Sequence, residues 1–420
     1  MVSSKAPGDR AADTHALNVF PALTSSAAPV ADVPPDYLKA TSNPVTALVI
    51  FTPLGIAAYL LDWHPMCCFI LNFLPIIPLA YMLAEAAQQA ANSTGETVGG
   101  LITASFGNAP ELILGCAALR RDKVELVQAS LVGSILSTLV LMTGLCLFVG
   151  GIYHKEQTFN NVAVVANSGL LMVACMALTL PTMYVFLVPQ TNNDLQLSYA
   201  AAISLAVVYV QFVYYQTQTH SHLFRDCEED NDVPTLSLPR VCAIMTVLTM
   251  MMAVHSEALV NAVEGTVSST GMNERFIGVV LLPIVGNSAE HVVALMAAMK
   301  NKMSLAVGIA FASCTQVALF VVPVTVFAGW LMGVKMDLSF HLFEVVVIHM
   351  SLLIVAELMR GGTGSWLQGT LLLSTYALLS FGFYYLPDSP STPRVAPCAP
   401  SPATSLGAPL ETARSASPST

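Results

Sequence analysis

The chain has 420 residues, of which 55% are hydrophobic and only 10% charged, against about 25% charged in a soluble domain. That deficit argues against a soluble globular protein and predicts a chain solvated largely by lipid. The formal net charge of −10 comes mainly from one loop and from acids in or beside apolar runs, so no basic face for nucleic acid is implied.

Residues 1–43 are polar and rich in Ala, Ser and Pro, without the basic-then-apolar start of a cleaved signal peptide; a disordered segment is predicted. Apolar runs long enough for a ~30 Å hydrocarbon core then follow. They lie near 45–62, 66–87, 98–119, 126–150, 162–188, 196–216, 238–262, 274–299, 304–332, 338–358 and 366–386. The pattern predicts an all-α polytopic membrane protein with about 11 transmembrane helices. An accessory first helix over 44–65 precedes a five-helix set over 66–217. A polar connector over 218–237 carries Asp226-Cys-Glu-Glu-Asp-Asn-Asp232, a second five-helix set spans 238–386, and a disordered Pro/Ser/Ala-rich tail spans 387–420. The nine cysteines lie mostly inside apolar runs without a CxxC pair and read as small apolar fillers.

The two sets share a motif. Gly107-Asn-Ala-Pro-Glu-Leu-Ile-Leu114 is matched by Gly286-Asn-Ser-Ala-Glu-His-Val-Val293, and each is followed at the same separation by a serine in the next span, Ser134 and Ser313. Shared order and offset argue for duplication. Each set holds an odd number of crossings, so the second enters the membrane with opposite orientation, and the repeats are inverted.

A carboxylate inside a bilayer is costly unless it faces a cavity, a partner or an ion, which makes Glu111 and Glu290 functional candidates. Asn108 and Glu111, like Asn287 and Glu290, stand at i and i+3 and share a helix face. Gly107 and Gly286, with Pro110 and Pro283 nearby, permit a kinked or broken helix that frees backbone carbonyls. Oxygen ligands and two negative charges suit Ca²⁺, which takes six to eight oxygens in irregular geometry; the absence of soft ligands disfavours Cu or Zn. Ionising a carboxyl in a low dielectric is costly, and a bound dication offsets that cost, so one pair of groups can hold either Ca²⁺ or protons.

Around this pair, Ser134, Ser137, Ser313 and Gln316 are candidate cavity-lining residues, explained equally well by interhelical hydrogen bonding. Glu85, Glu257 and Glu264 lie towards the ends of apolar spans, where a charged head can reach the interface. His291 either shuttles protons beside Glu290 or packs, since its neighbour on a helix points about 100° away.

These stretches resemble a known family, the vacuolar-type Ca²⁺/H⁺ exchangers of the cation/Ca²⁺ exchanger superfamily. The first signature is carried by Thr97-Val-Gly-Gly-Leu101, Ser105-Phe-Gly-Asn-Ala-Pro-Glu-Leu112 and Val127-Gln-Ala-Ser-Leu-Val-Gly-Ser-Ile-Leu-Ser137. The second is carried by Leu282-Pro-Ile-Val-Gly-Asn-Ser-Ala-Glu-His291, Ala298-Met-Lys-Asn-Lys-Met303 and Gln316-Val-Ala-Leu-Phe320, and the similarity runs through Trp366-Leu-Gln-Gly369. The resemblance implies Ca²⁺/H⁺ exchange, with Glu111 and Glu290 as the ion-binding carboxylates and Asn108, Asn287 and nearby carbonyls completing the site. It further implies that Gln316 and Ser134 line the cavity and that Glu257 occupies a usual acid position. No cofactor is implied; the transported ions are Ca²⁺, with Mn²⁺ as a second candidate, and H⁺. The implied location is a vacuolar or other acidic-organelle membrane, with the N-terminus and acidic connector cytosolic.

The chain departs from the family pattern at Gln88 and Gln89, where paired acids are usual, at Pro110, where a hydrophobic residue is usual, and at Thr138, where Asn is common. The implied orientation leaves Arg120, Arg121 and Lys123 on the lumenal side, against the positive-inside trend. Two other functions compete. A Na⁺-driven Ca²⁺ exchanger shares Asn-Ala-Pro-Glu, although Ser-Ala-Glu-His favours the proton-coupled branch. An intramembrane metal-dependent hydrolase would need paired aspartates, an HExxH helix or a Gly-x-Ser-x-Gly turn, none of which occurs.

Overall fold

A computed structural model describes residues 46–94, 96–188, 194–220 and 236–387. Residues 1–43, most of the acidic connector and all but the first residue of the 387–420 tail lie outside the described residues.

The described chain is helical apart from one short strand pair. A 3₁₀ turn leads into α1 (Phe51–Leu60), followed by α2 (Pro65–Thr94), α3 (Glu96–Gly107) and α4 (Ala109–Arg120). Then come α5 (Val124–Tyr153) and α6 (Asn161–Leu187), and α7 (Asp194–Tyr214), which a π-turn extends over Tyr215–Thr219. After the connector stand α8 (Leu238–Thr270), α9 (Glu274–Gly286), α10 (Ser288–Met299), α11 (Met303–Met332), α12 (Leu342–Met359) and α13 (Trp366–Tyr385). Among the described residues, seven helices are long and apolar enough to cross a membrane, or eight if the bent pair α9 and α10 forms one span.

Each predicted apolar run contains a helix, with shifted ends. The second run extends to Thr94 and the seventh to Thr270, because Ala-rich and threonine-terminated turns continue the backbone ladder past the last apolar residue. Residues 338–341, predicted to open a helix, are not helical; α12 begins after His341, whose side chain accepts from Phe343 N as its cap.

Burial separates the centre from the lipid-facing rim. α5 and α11 are the most buried spans, with Leu139, Val140, Val317 and Leu319 fully enclosed. On α6 and α7, Val165, Met172, Met176, Ile203, Val207 and Val210 are exposed, an apolar surface that only lipid can solvate at low cost. Small residues bring the central helices together. A Cβ on Gly133 of α5 would lie 2.2 Å from Val279 O of α9, and one on Gly278 of α9 would lie 2.7 Å from Ala129 Cβ. Such close approach replaces the hydrophobic driving force that is missing between helices in lipid.

Both central spans are interrupted by π-turns, at Ser137–Met142 in α5 and Val317–Val321 in α11, and a third occupies Ile277–Leu281 in α9. A π-turn inserts a residue into the ladder without ending the helix and redirects the following face. Strands β1 (Gln157–Thr158) and β2 (Thr363–Gly364) pair antiparallel and tie the loop after α5 to the loop before α13.

Candidate functional site

Two helix breaks face each other in the bundle. α3 gives way to α4 at Asn108 (φ −101°, ψ 22°) and α9 gives way to α10 at Asn287 (φ −87°, ψ 6°); the second pair bends by 59°. Each asparagine occupies the N-cap, and Glu111 or Glu290 falls in the first turn of the helix that follows. Pro110 is accommodated in that first turn of α4, where a backbone N–H has no intrahelical partner to lose.

Neither asparagine caps its own helix. Asn108 Nδ2 donates to Gln316 Oε1 of α11 at 2.8 Å, and Asn287 Nδ2 donates to Ser134 Oγ of α5 at 3.3 Å. The two amides are thus spent on the opposite half of the chain, leaving their carbonyl oxygens free. The carboxylates cross in the same reciprocal way. A Cβ on Gly286 would lie 3.0 Å from Glu111 Oε1, and one on Gly107 would lie 3.9 Å from Glu290 Oε1. Each glutamate therefore reaches the glycine that precedes the other break, and the glycines leave the room the carboxylates occupy.

Asn108 and Asn287 are 1% and 2% exposed and Glu111 9%, whereas Glu290 is half-buried. Among the described residues, four buried oxygens on the two breaks lack a hydrogen-bond partner: Asn108 Oδ1, Asn287 Oδ1, Glu111 Oε2 and Glu290 Oε2; Ser313 of α11 stands beside Glu290. Buried polar atoms are ordinarily satisfied, so four orphaned acceptors on two matched breaks are a donor set suited to a hard cation. No group of three His, Cys, Asp or Glu side chains converges among the described residues, which leaves no zinc-type nitrogen or sulfur cage.

The remaining sequence candidates divide. Ser134 and Gln316 join the site through the asparagine amides. Ser137 Oγ lies 3.4 Å from His291 Nε2, pairing the serine one turn after Ser134 with the histidine after Glu290. Glu257 stands apart: its carboxylate accepts from Arg121 Nε and Nη2 at 3.1 and 2.8 Å, beyond the C-terminal end of α4. Sequence reasoning missed the Asn108–Gln316 pairing and the Arg121–Glu257 pair, because neither spacing nor composition reports which distant helices meet. The π-turns left no sequence signal.

The family model for sodium/calcium exchanger protein matches residues 64–218 and again 241–385. The chain belongs to this family. Among curated members of the exchanger family it is 38% identical over 364 residues to the Ca²⁺/H⁺ antiporter of Aphanothece halophytica, covering 82% of this chain and 96% of that one. It is 35% identical to the vacuolar calcium ion transporter of Schizosaccharomyces pombe, over 81% and 84% of the two chains. Among solved exchanger structures, native YfkE superposes with a TM-score of 0.72 at 34% identity, covering 81% of this chain and 100% of YfkE. The H⁺/Ca²⁺ exchanger CAX superposes with a TM-score of 0.67 at 16% identity, which shows a shared fold alone.

Proposed function

We propose that this chain is a secondary antiporter that exchanges Ca²⁺ for protons by alternating access, a transporter and not an enzyme. Glu111 and Glu290 hold Ca²⁺ or protons in competition, and Asn108, Asn287 and Ser313 add neutral oxygens. The observation that carries this reading is the set of four orphaned oxygens on two reciprocally crossed helix breaks. The similarity to proteins named Ca²⁺/H⁺ antiporter and vacuolar calcium ion transporter supports the choice of ions.

The proposed architecture has 11 crossings: the first helix, then inverted five-helix repeats over 66–217 and 238–386. The double match of the family model supports the duplication, as do π-turns in corresponding places of α5 and α11. We place the protein in a vacuolar or other acidic-organelle membrane, N-terminus and connector cytosolic, with Mn²⁺ as a second transported cation.

Exchange requires that the empty, doubly charged site not cross between orientations. The cost of two bare carboxylates in a low dielectric supplies that restriction, while two protons or one Ca²⁺ remove it. The test is ⁴⁵Ca²⁺ uptake into membrane vesicles driven by a pH gradient. Uptake is expected to be abolished by a protonophore, to ignore Na⁺, and to fall by about 100-fold or more in Glu111→Gln and in Glu290→Gln, since a neutral amide cannot balance a desolvated dication. Normal uptake in both variants, or uptake driven by Na⁺, would sink the proposal.

A further inference from the structure

Both glutamate-bearing half-helices end in the same backbone turn. Asp122 after α4 and Asn301 after α10 adopt left-handed conformations, with φ of 57° and 61°. Side chains from other parts of the chain hold both ends. Beyond α10, Gln157 Nε2 donates to Ala298 O at 2.9 Å and to Asn301 Oδ1 at 3.1 Å, and His154 Nε2 lies 3.2 Å from Met299 O. These contacts reach from the loop after α5.

Beyond α4 the hold is ionic and comes from α8. Arg121 places Nε and Nη2 on Glu257 Oε1, and Arg120 Nη1 stands 3.7 Å from Glu257 Oε2. Lys123 bonds Glu264, about two turns further along the same face of α8, and lies 3.9 Å from Glu274 at the start of α9. Glu257 thus gathers two guanidiniums while its side chain is only 22% exposed, a charge-assisted and directional contact. Arg121 stands ten residues beyond Glu111, about 15 Å along the helix at 1.5 Å per residue, whereas Ca²⁺ binds oxygens at about 2.3–2.6 Å.

We infer that Glu257 and Arg121 are positioning residues that clamp the far end of Glu111's half-helix to α8, so that an ion pair sets the depth of Glu111 in the site. The inference rests on the exchange reading for its assay. It makes cation affinity sensitive to salt through the Glu111 arm, because a partly exposed ion pair is screened by ions.

The experiment measures ⁴⁵Ca²⁺ uptake in vesicles, with KM and Vmax separated, at low and high KCl. Glu257→Gln is expected to raise KM about three- to ten-fold with Vmax little changed and to remove the salt dependence of KM that the unsubstituted protein shows. The charge swap Arg121→Glu with Glu257→Arg is expected to restore KM and its salt dependence, a rescue that a ligand at 257 forbids. Loss of uptake in the swap, with protein present in the membrane and monodisperse in detergent, would overturn the clamp, as would an unchanged KM in Glu257→Gln. If the unsubstituted protein shows no uptake, the exchange reading fails, and equilibrium ⁴⁵Ca²⁺ binding to purified protein reads the same affinity shift and rescue independently.

Discussion

Glu111 and Glu290 differ in how tightly their surroundings confine them, and this gives the two glycines unequal weight. A methyl on Gly286 would meet Glu111 Oε1 at 3.0 Å, inside ordinary contact distance, while one on Gly107 would sit at an ordinary 3.9 Å from Glu290 Oε1. Gly286→Ala is therefore expected to raise the KM for Ca²⁺ about ten-fold and Gly107→Ala less than about three-fold, as a displaced ligand loses most of its interaction within 1 Å. Equal effects in the uptake assay would show that the carboxylate moves aside at no cost. The repeated motif makes the two glutamates legible in the sequence, because a charged side chain in an apolar run has few explanations. The partners of Asn108 and Asn287 were not legible, since Gln316 and Ser134 read as interhelical hydrogen bonds or as ligands with equal ease.

Among the helices, close packing decides what can be changed. Gly133 sits where a Cβ would lie 2.2 Å from Val279 O and 2.5 Å from Pro283 Cγ, whereas Gly169 of α6 has nothing within 4 Å. Gly133→Ala is expected to destabilise the protein by about 1–3 kcal/mol, the usual cost of overpacking, and Gly169→Ala to leave it unchanged or slightly more stable through helix propensity. Thermal unfolding in detergent checks both, and a Gly133→Ala midpoint equal to that of the unsubstituted protein would mean that α5 and α9 separate freely. The helix runs themselves were readable from hydropathy. Their breaks at Asn108 and Asn287 were readable only as a permission given by glycine and proline, and the π-turns not at all, because a π-turn has the same composition as the helix around it.

Across the molecule, cations at the helix ends stand in ion pairs. Arg121 and Lys123 pair with Glu257 and Glu264, and Arg275 pairs with Glu125 and the fully buried Glu344, so these cations are structural partners rather than free determinants of topology. The two halves of the chain meet through Gly133 and Val279, Asn108 and Gln316, and Asn287 and Ser134. Co-expression of residues 1–220 and 236–420 as separate chains is accordingly expected to give proton-driven Ca²⁺ uptake, while either half alone gives none. Uptake from one half would show that a single break suffices.

Composition, periodicity and charge in apolar runs are local properties of a string, so they suffice to place the chain in lipid, to find one motif twice and to single out two glutamates as costly residues. It took the folded chain to show that each glutamate reaches across to the other motif's glycine, that the asparagine amides are spent on opposite helices, and that Glu257 stands with arginine beyond the end of α4. Those outcomes depend on which helices touch and at what depth, and packing between distant segments sets both.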